Sequence, residues 1–366
     1  MVFNFNLSTF SLPTQKLGLA ATLAMAIAGV SACGSGEQAT DAGGESGETT
    51  EETTAATEMP GEGIGVTPGY AVLEELFQTE IVNIGLERLG YTIESPKELE
   101  YATLHVDTAN GGITYTSAHW ETLHEEFYTN SGGDEALERT GTYIANVLQG
   151  YKIDQATAEA YNITSLDQLQ DPEIAALFDT DGDGKANLTG CNPGWGCELV
   201  IEHQLDEYGL RDTVQHDQGQ YFALIADTIT RYEQGEPILY YTWTPLWVSG
   251  VLKDGEDVTW LEVPYTSLPE AQAQVTEEET SAEGKNLGFA VDQQVILANQ
   301  AFVDENPAAT KFFELVEVPI GDVSAQNQLM QDGEDTPEQI REHAEAWVAD
   351  NQDLFDGWIE EAIATQ

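Results

Sequence analysis

Cations are scarce in this chain. Lys and Arg together number 12 against 65 Asp and Glu, a formal net charge of −53 over 366 residues. A surface of that sign repels phosphate backbones and anionic headgroups, which excludes nucleic acid and anionic membrane surfaces as partners. Self-repulsion on this scale is tolerated where salt screens it, which points to a saline habitat. Long hydrophobic runs are missing too: beyond the first 30 residues no apolar stretch reaches the roughly 20 residues a spanning helix needs. There is no repeat of about 20–50 residues, which excludes a solenoid or propeller. The absence of a Gly-x-Ser-x-Gly elbow and of a glycine-rich cofactor loop argues against a hydrolase or a cofactor enzyme. Cysteine is confined to Cys33, Cys191 and Cys197.

The N-terminus carries the one long apolar run. Lys16 precedes Leu17–Val30, too short to span a bilayer and of the length of a signal-peptide core. It ends in Val30-Ser31-Ala32-Cys33, a small-residue cleavage site directly before a cysteine. This resembles a bacterial lipobox: residues 1–32 are expected to be a lipoprotein signal peptide and Cys33 the lipidated residue. The alternative is an ordinary secretory peptide with Cys33 incidental. Residues 33–63 hold almost no large apolar side chains and read as a flexible acidic tether. The expected location is therefore extracytoplasmic, periplasmic or on the outer face of the cytoplasmic membrane, with membrane contact through the lipid anchor. In that oxidising setting the two remaining cysteines, Cys191 and Cys197, are expected to pair across a short loop.

About 300 residues remain, enough for two lobes. Short strands are expected at Ile64–Pro68, Tyr91–Ile93, Leu199–Ile201, Ile238–Trp243, Val258–Val263 and Gly288–Leu297. Helices are expected over residues 73–89, stopped by Gly90, over Gln220–Glu233 and Asn306–Val316, and near the end. There Thr336-Pro337-Glu338-Gln339 combines an N-cap, a first-turn proline and a capping-box glutamine, with a last helix from about Asp353 to Ala364. Strands alternating with helices point to an α/β fold with mostly parallel sheets.

Three segments are rich in aromatics. In Cys191-Asn192-Pro193-Gly194-Trp195-Gly196-Cys197 a tryptophan sits between two glycines, a frame that presents an indole and bares backbone N–H groups; the alternative is a Trp packed on its own loop. In Tyr240–Trp247, Pro245 ends a strand, so Trp243 lies near a strand terminus, where α/β folds bind ligands, although such strand ends also serve as core. In His119-Trp120-Glu121-Thr122-Leu123-His124, Trp120 and His124 are one turn apart if the segment is helical. Three indoles suggest a cage for a quaternary ammonium, which cannot donate hydrogen bonds but is attracted to ring faces. Asp179, Asp181 and Asp183 occupy positions 1, 3 and 5 of a calcium-type loop with Gly184 at 6, yet position 12 is Gly190 and the bidentate acid is missing, so a metal-free Asp/Gly turn is expected. His119 and His124 with Glu121 lack the His-Glu-x-x-His spacing, and no metal site is expected there.

The loop around Trp195, the preceding Asp179–Lys185 and the following Tyr240–Pro245 together resemble the ProX family, the glycine betaine/proline betaine-binding proteins of ProU-type ABC importers. The resemblance runs from about Ile64 to the C-terminus. It implies that Trp120, Trp195 and Trp243 form the aromatic box around the trimethylammonium group. It also implies that His124 and the backbone N–H groups of Gly196 and Cys197 contact the carboxylate, and that Cys191 pairs with Cys197. The implied architecture is the two-lobe type II periplasmic-binding-protein fold, with 64–149 and 291–366 in lobe 1, 150–290 in lobe 2, and crossovers near Tyr143–Gln149 and Phe289–Val295. The implied partners are a betaine ligand and an ABC permease; no cofactor is expected, and the chain is expected to be a monomer. An exported enzyme acting on quaternary amines and a calcium-dependent receptor or adhesion module are the competing functions.

Overall fold

The computed structural model describes residues 59–365. The signal peptide, Cys33 and most of the tether lie outside the described residues. Among the described residues no helix is long and apolar enough to cross a membrane.

One large sheet organises the molecule. Its strands are β1 (Pro68–Tyr70), β2 (Lys97–Glu98), β3 (Tyr115–Trp120), β4 (Leu137–Asp154), β5 (Ala186–Thr189), β6 (Val214–Asp217), β7 (Leu239–Thr244), β8 (Val258–Trp260) and β9 (Asp292–Asn299). They lie in the order β2-β1-β3-β9-β4-β7-β5-β6, with β8 also paired to β4. The outer strands on both flanks pair in parallel, as an α/β fold requires, and the antiparallel ladders all involve the central strands β4 and β9. β4 holds the two flanks together. Its first part, to Val147, pairs with β9, and from Leu148 to Ile153 it pairs with β7. Near this change of partner the β4–β9 ladder shifts register, and Asn146 takes a φ of 59°. A bulge of this kind bends the strand and re-aims the residues beyond it.

The helices used below are α1 (Leu76–Arg88), α2 (Tyr101–Ala109), α3 (Glu125–Asn130), α4 (Gly196–Glu207), α5 (Tyr221–Glu233), α6 (Pro307–Leu315), α7 (Ile320–Gln331), α8 (Pro337–Asp350) and α9 (Gln352–Ile363). The expected capping box is present: Thr336 Oγ1 accepts from the Gln339 N–H at 3.3 Å, and the Gln339 side chain reaches back to Thr336. Some of the few cations clamp helices to one another. Arg341 of α8 bridges Glu80 and Glu87 of α1 and Glu345 of its own helix, and Arg88 of α1 reaches Asp356 of α9. Leu199–Ile201, expected as a strand, lies instead inside α4. Val200, Ile201 and Leu205 are buried together on one side of that helix, a helical spacing that a three-residue apolar run does not reveal.

α1 packs on β3 and against α6 and α8. The approach to α6 is close at Gly85, where an added Cβ would lie 2.0 Å from Phe312 Cζ. Phe312 is fully buried and packs on Phe355, so it has nowhere to move. Gly85→Ala is thus expected to destabilise the protein by about 1–3 kcal/mol through overpacking. That outweighs the gain of about 1 kcal/mol that alanine brings to a helix interior. A lower urea midpoint with unchanged slope is the expected result; a rise in midpoint would show that the α1–α6 contact relaxes freely.

Candidate ligand-binding site

The six residues singled out for ligand contact, Trp120, His124, Trp195, Gly196, Cys197 and Trp243, line one cavity with about 520 Å³ of atom-free space, part of it open to solvent. Trp243 is on β7, and Trp195 is the N-cap of α4. Trp120 and His124 are not on one helix: Trp120 ends β3, and His124 follows a tight turn and caps α3. The turn is held twice. The Trp120 N–H donates to His124 Nδ1 at 3.2 Å, and the His124 N–H donates to the Trp120 carbonyl at 3.0 Å. Beneath it, the buried Asp292 carboxylate accepts from the Thr122 and Leu123 N–H groups at 2.9–3.1 Å. Burial pushes Asp292 up to about 6, against the pull of those amides.

Cys191 and Cys197 are disulfide-bonded. Within their loop, the Trp195 N–H donates to the Asn192 carbonyl, and Asn192 Oδ1 accepts from the Tyr221 N–H at 2.7 Å. Gly194, at φ 88°, adopts a turn that a side chain would strain. Gly196 is required for a different reason: a Cβ there would fall 2.8 Å from the Leu123 carbonyl oxygen, so only glycine lets the start of α4 approach the 121–124 turn. No side chain caps α4. The Gly196 and Cys197 amides are first-turn groups with no carbonyl of the helix to serve.

The aromatic surface is wider than three indoles. Trp195 and Trp243 meet edge to face, centroids 6.0 Å apart at 71°. Tyr101 stands 5.7 Å from Trp195 and 4.4 Å from the His124 ring, and Tyr221 stands 4.6 Å from Trp243. Tyr101 and Tyr241 line the cavity with the indoles. Tyr241 lies in the aromatic run on β7, whereas nothing in the local sequence of α2 marks Tyr101. The Tyr101 hydroxyl donates to Glu75 Oε1 at 2.6 Å.

The lining offers two unlike sets of polar groups. Four oxygens, Glu74 Oε2, Gln78 Oε1, Gln294 Oε1 and Asn327 Oδ1, are buried without a hydrogen-bond partner and belong to lining residues. Burial raises Glu74 to about 7, and it raises Glu75 to about 7 in spite of the Tyr101 hydroxyl and the Ala71 and Val72 amides bound to it. The second set donates. His124 Nδ1 accepts from an N–H, which leaves the proton on Nε2. Burial, with the nearby His105 ring, holds His124 well below the ordinary imidazole range, so it is neutral and still a donor. Oxygens that lack donors suit a methylated cation, and N–H groups that lack acceptors suit an anion.

The Asp179 loop folds on itself. Asp179 accepts from the Asp181, Gly182 and Gly184 N–H groups at 2.7–3.2 Å, Asp181 from Asp183 and Asp183 from Lys185. These amides, that of Gly182 first, hold the Asp179 carboxyl below its usual range. This is the geometry of an Asp/Gly turn stabilised by its own backbone. By contrast, His119 and His124 have a neighbour that the sequence did not suggest, His105 of α2, and the three buried rings cluster together.

Among solved structures, lactococcal OpuAC in its closed form with glycine betaine superposes with a TM-score of 0.61 at 19% identity, covering 81% of this chain and 99% of that one. A choline-binding protein of an ABC transporter in complex with choline gives 0.63 at 17%, covering 82% and 96%. At such identities the likeness speaks for the fold alone. The fold is that of the type II solute-binding proteins. Residues 66–350 match the family described as the substrate binding domain of ABC-type glycine betaine transport systems, OpuAC. The chain is 49% identical over 311 residues to the glycine betaine-binding periplasmic protein OusX of Dickeya dadantii, covering 85% of this chain and 93% of that protein. It is 48% identical over 314 residues to the glycine betaine/proline betaine-binding periplasmic protein of Escherichia coli, covering 86% and 94%. The chain therefore belongs to this family of transport receptors; it works outside the cytoplasm and is a binding protein, not an enzyme. Neither the enzymatic nor the calcium-dependent reading finds support in this kinship.

Proposed function

We propose that the protein captures glycine betaine or a close zwitterionic relative outside the cytoplasm and delivers it to an ABC permease for osmoprotection. The observation that carries this is the pairing, in one aromatic cavity, of partnerless oxygens with partnerless donors. The trimethylammonium group packs between Trp120, Trp195 and Trp243. The carboxylate accepts from His124 Nε2–H and from the Gly196 and Cys197 amides. Residues 64–149 with 291–366 form one lobe and 150–290 the other, joined where β4 and β9 run through the middle of the sheet. The ligand closes them by a hinge motion, and the Asn146 bulge is a natural place for the bend. The chain acts as a monomer tethered through an acylated Cys33, a point that mass spectrometry of the mature N-terminus settles.

Calorimetric titration with glycine betaine, proline betaine, choline and proline tests the reading. Choline keeps the ammonium and lacks the carboxylate, so it leaves the donors unmatched and should bind at least about tenfold more weakly than glycine betaine. Equal affinity for choline would remove the assigned role of His124, Gly196 and Cys197.

A further inference from the structure

Behind the cavity wall lies a cluster that ligand capture leaves largely unused. His105 of α2, His119 of β3 and His124 are each about 1% exposed, and their ring centroids are 5.1, 5.5 and 5.6 Å apart. One ring nitrogen from each lies within 4.8 Å of the other two. The hydrogen bonds settle where the protons are. His105 Nδ1 sits 2.7 Å from the Tyr101 carbonyl, which can only accept, so His105 carries its proton on Nδ1 and a lone pair on Nε2. That lone pair faces His119 Nδ1 at 2.9 Å, so His119 donates from Nδ1. The remaining nitrogen, His119 Nε2, is then a bare lone pair, fully buried and without a partner.

We propose that His105, His119 and His124 form a site for a borderline divalent transition metal such as Zn²⁺, Ni²⁺ or Co²⁺. Neutral imidazole is the ligand type such ions favour, whereas Mg²⁺ and Ca²⁺ select oxygens. His105 already has the outer arrangement of a metal ligand: its Nδ1–H is anchored to a backbone carbonyl, and its Nε2 lone pair points into the cluster, at His119. The Nε2–Nδ1 separation of 2.9 Å between His105 and His119 is close to the roughly 3.3 Å that two nitrogens adopt at about 2.0–2.1 Å from a tetrahedral ion. Small ring rotations complete the set, and a water fills the fourth position. Coordination replaces the His105–His119 hydrogen bond: the His119 proton passes from Nδ1 to the partnerless Nε2, and His124 carries its proton on Nδ1, giving up the Trp120 N–H bond, so that Nδ1 of His119 and Nε2 of His124 turn lone pairs to the ion. The ion enters through the cavity, which His124 lines. Because His124 also faces the ligand, metal and betaine compete for it. That last point rests on the proposed function; the metal site itself does not.

Co²⁺ titration of the ligand-free chain is the test, because its visible spectrum separates nitrogen coordination in a tetrahedral site from octahedral binding to surface carboxylates. That distinction matters for so acidic a protein. An intense band between about 500 and 650 nm, saturating at one equivalent and displaced by Zn²⁺, is expected. His105→Phe and His119→Asn, each checked for a native circular-dichroism spectrum, should each abolish the band or weaken Co²⁺ binding at least tenfold, with glycine betaine affinity in metal-free buffer changed less than threefold. Excess glycine betaine should weaken Co²⁺ binding to the parent chain. Only a weak octahedral spectrum, or a tetrahedral band that survives in both folded variants, would overturn the site. A tetrahedral band indifferent to betaine would leave the metal site standing and sink the competition.

Discussion

Alanine at Trp195 or at Trp243 is expected to weaken glycine betaine binding by about tenfold or more, and the double substitution by more than either alone. A desolvated indole face contributes up to roughly 2 kcal/mol to a quaternary ammonium. Micromolar affinity needs about 8 kcal/mol net, so three rings at full strength still leave a remainder for methyl burial and carboxylate donors. Losing one ring removes a large share without abolishing the site. Trp195 is the more sensitive of the two. Its ring packs on Tyr101 as well as Trp243, and its own backbone begins α4, whose first amides are the proposed donors to the carboxylate. Trp243→Phe keeps a ring face and should lose less than Trp243→Ala. Calorimetry on variants with native melting curves checks this. Unchanged affinity in both alanine variants would show that the indoles are only packing, and the cage would fall with it.

Much of this site was legible because its signals are local. A tryptophan between glycines in a two-cysteine loop and an aromatic strand cut by Pro245 both announce themselves in a few residues, and the disulfide and β7 stand where those residues suggest. The capping box at Thr336 is equally local. What escaped depends on tertiary placement. Leu199–Ile201 looks like a strand until the start of α4 at Gly196 is known. Trp120 and His124 come together through a strand end and a turn, held by Asp292 from a segment about 170 residues away. Tyr101 and His105 sit one turn apart on α2, and only the packing of α2 against the 119–124 segment turns them into neighbours of His119 and His124. The acceptor set of Glu74, Gln78, Gln294 and Asn327 is drawn from three separate stretches, and none is unusual in its own sequence context.

Glu74 should make binding depend on pH, and the sign follows from its surroundings. Its Oε2 is shut away without a partner, and burial raises the carboxyl to about 7 in the empty cavity. A quaternary ammonium carries a charge that no pH change removes, and it favours the ionised carboxylate beside it. Below pH 7 binding must therefore expel a proton. Affinity should fall as the pH drops through 7, on the order of tenfold between pH 8 and 5.5, since one linked proton changes affinity by at most tenfold per unit. Glu75 is raised to about 7 as well, but the Tyr101 hydroxyl and two amides already hold its oxygens, so the ligand has less to add. Asp292, raised to about 6, holds the 121–124 turn and lies outside the cavity lining, and burial keeps His124 well below the ordinary imidazole range. In the empty protein the same shift acts on stability. A carboxyl raised on folding binds more protons in the native state between its ordinary value near 4.5 and about 7. Its contribution is thus lost as pH rises through that interval. Glu74→Gln keeps the shape and removes the proton. It should flatten the affinity profile, bind at pH 8 about as weakly as the parent does at pH 5.5, and gain thermal stability relative to the parent as pH rises from 5 to 8. Calorimetry at pH 6 in two buffers of different ionisation enthalpy should show proton release by the parent and markedly less by the variant. Proton uptake by the parent, or an unaltered pH slope in the variant, would place the carboxylate outside the reach of the ligand's charge.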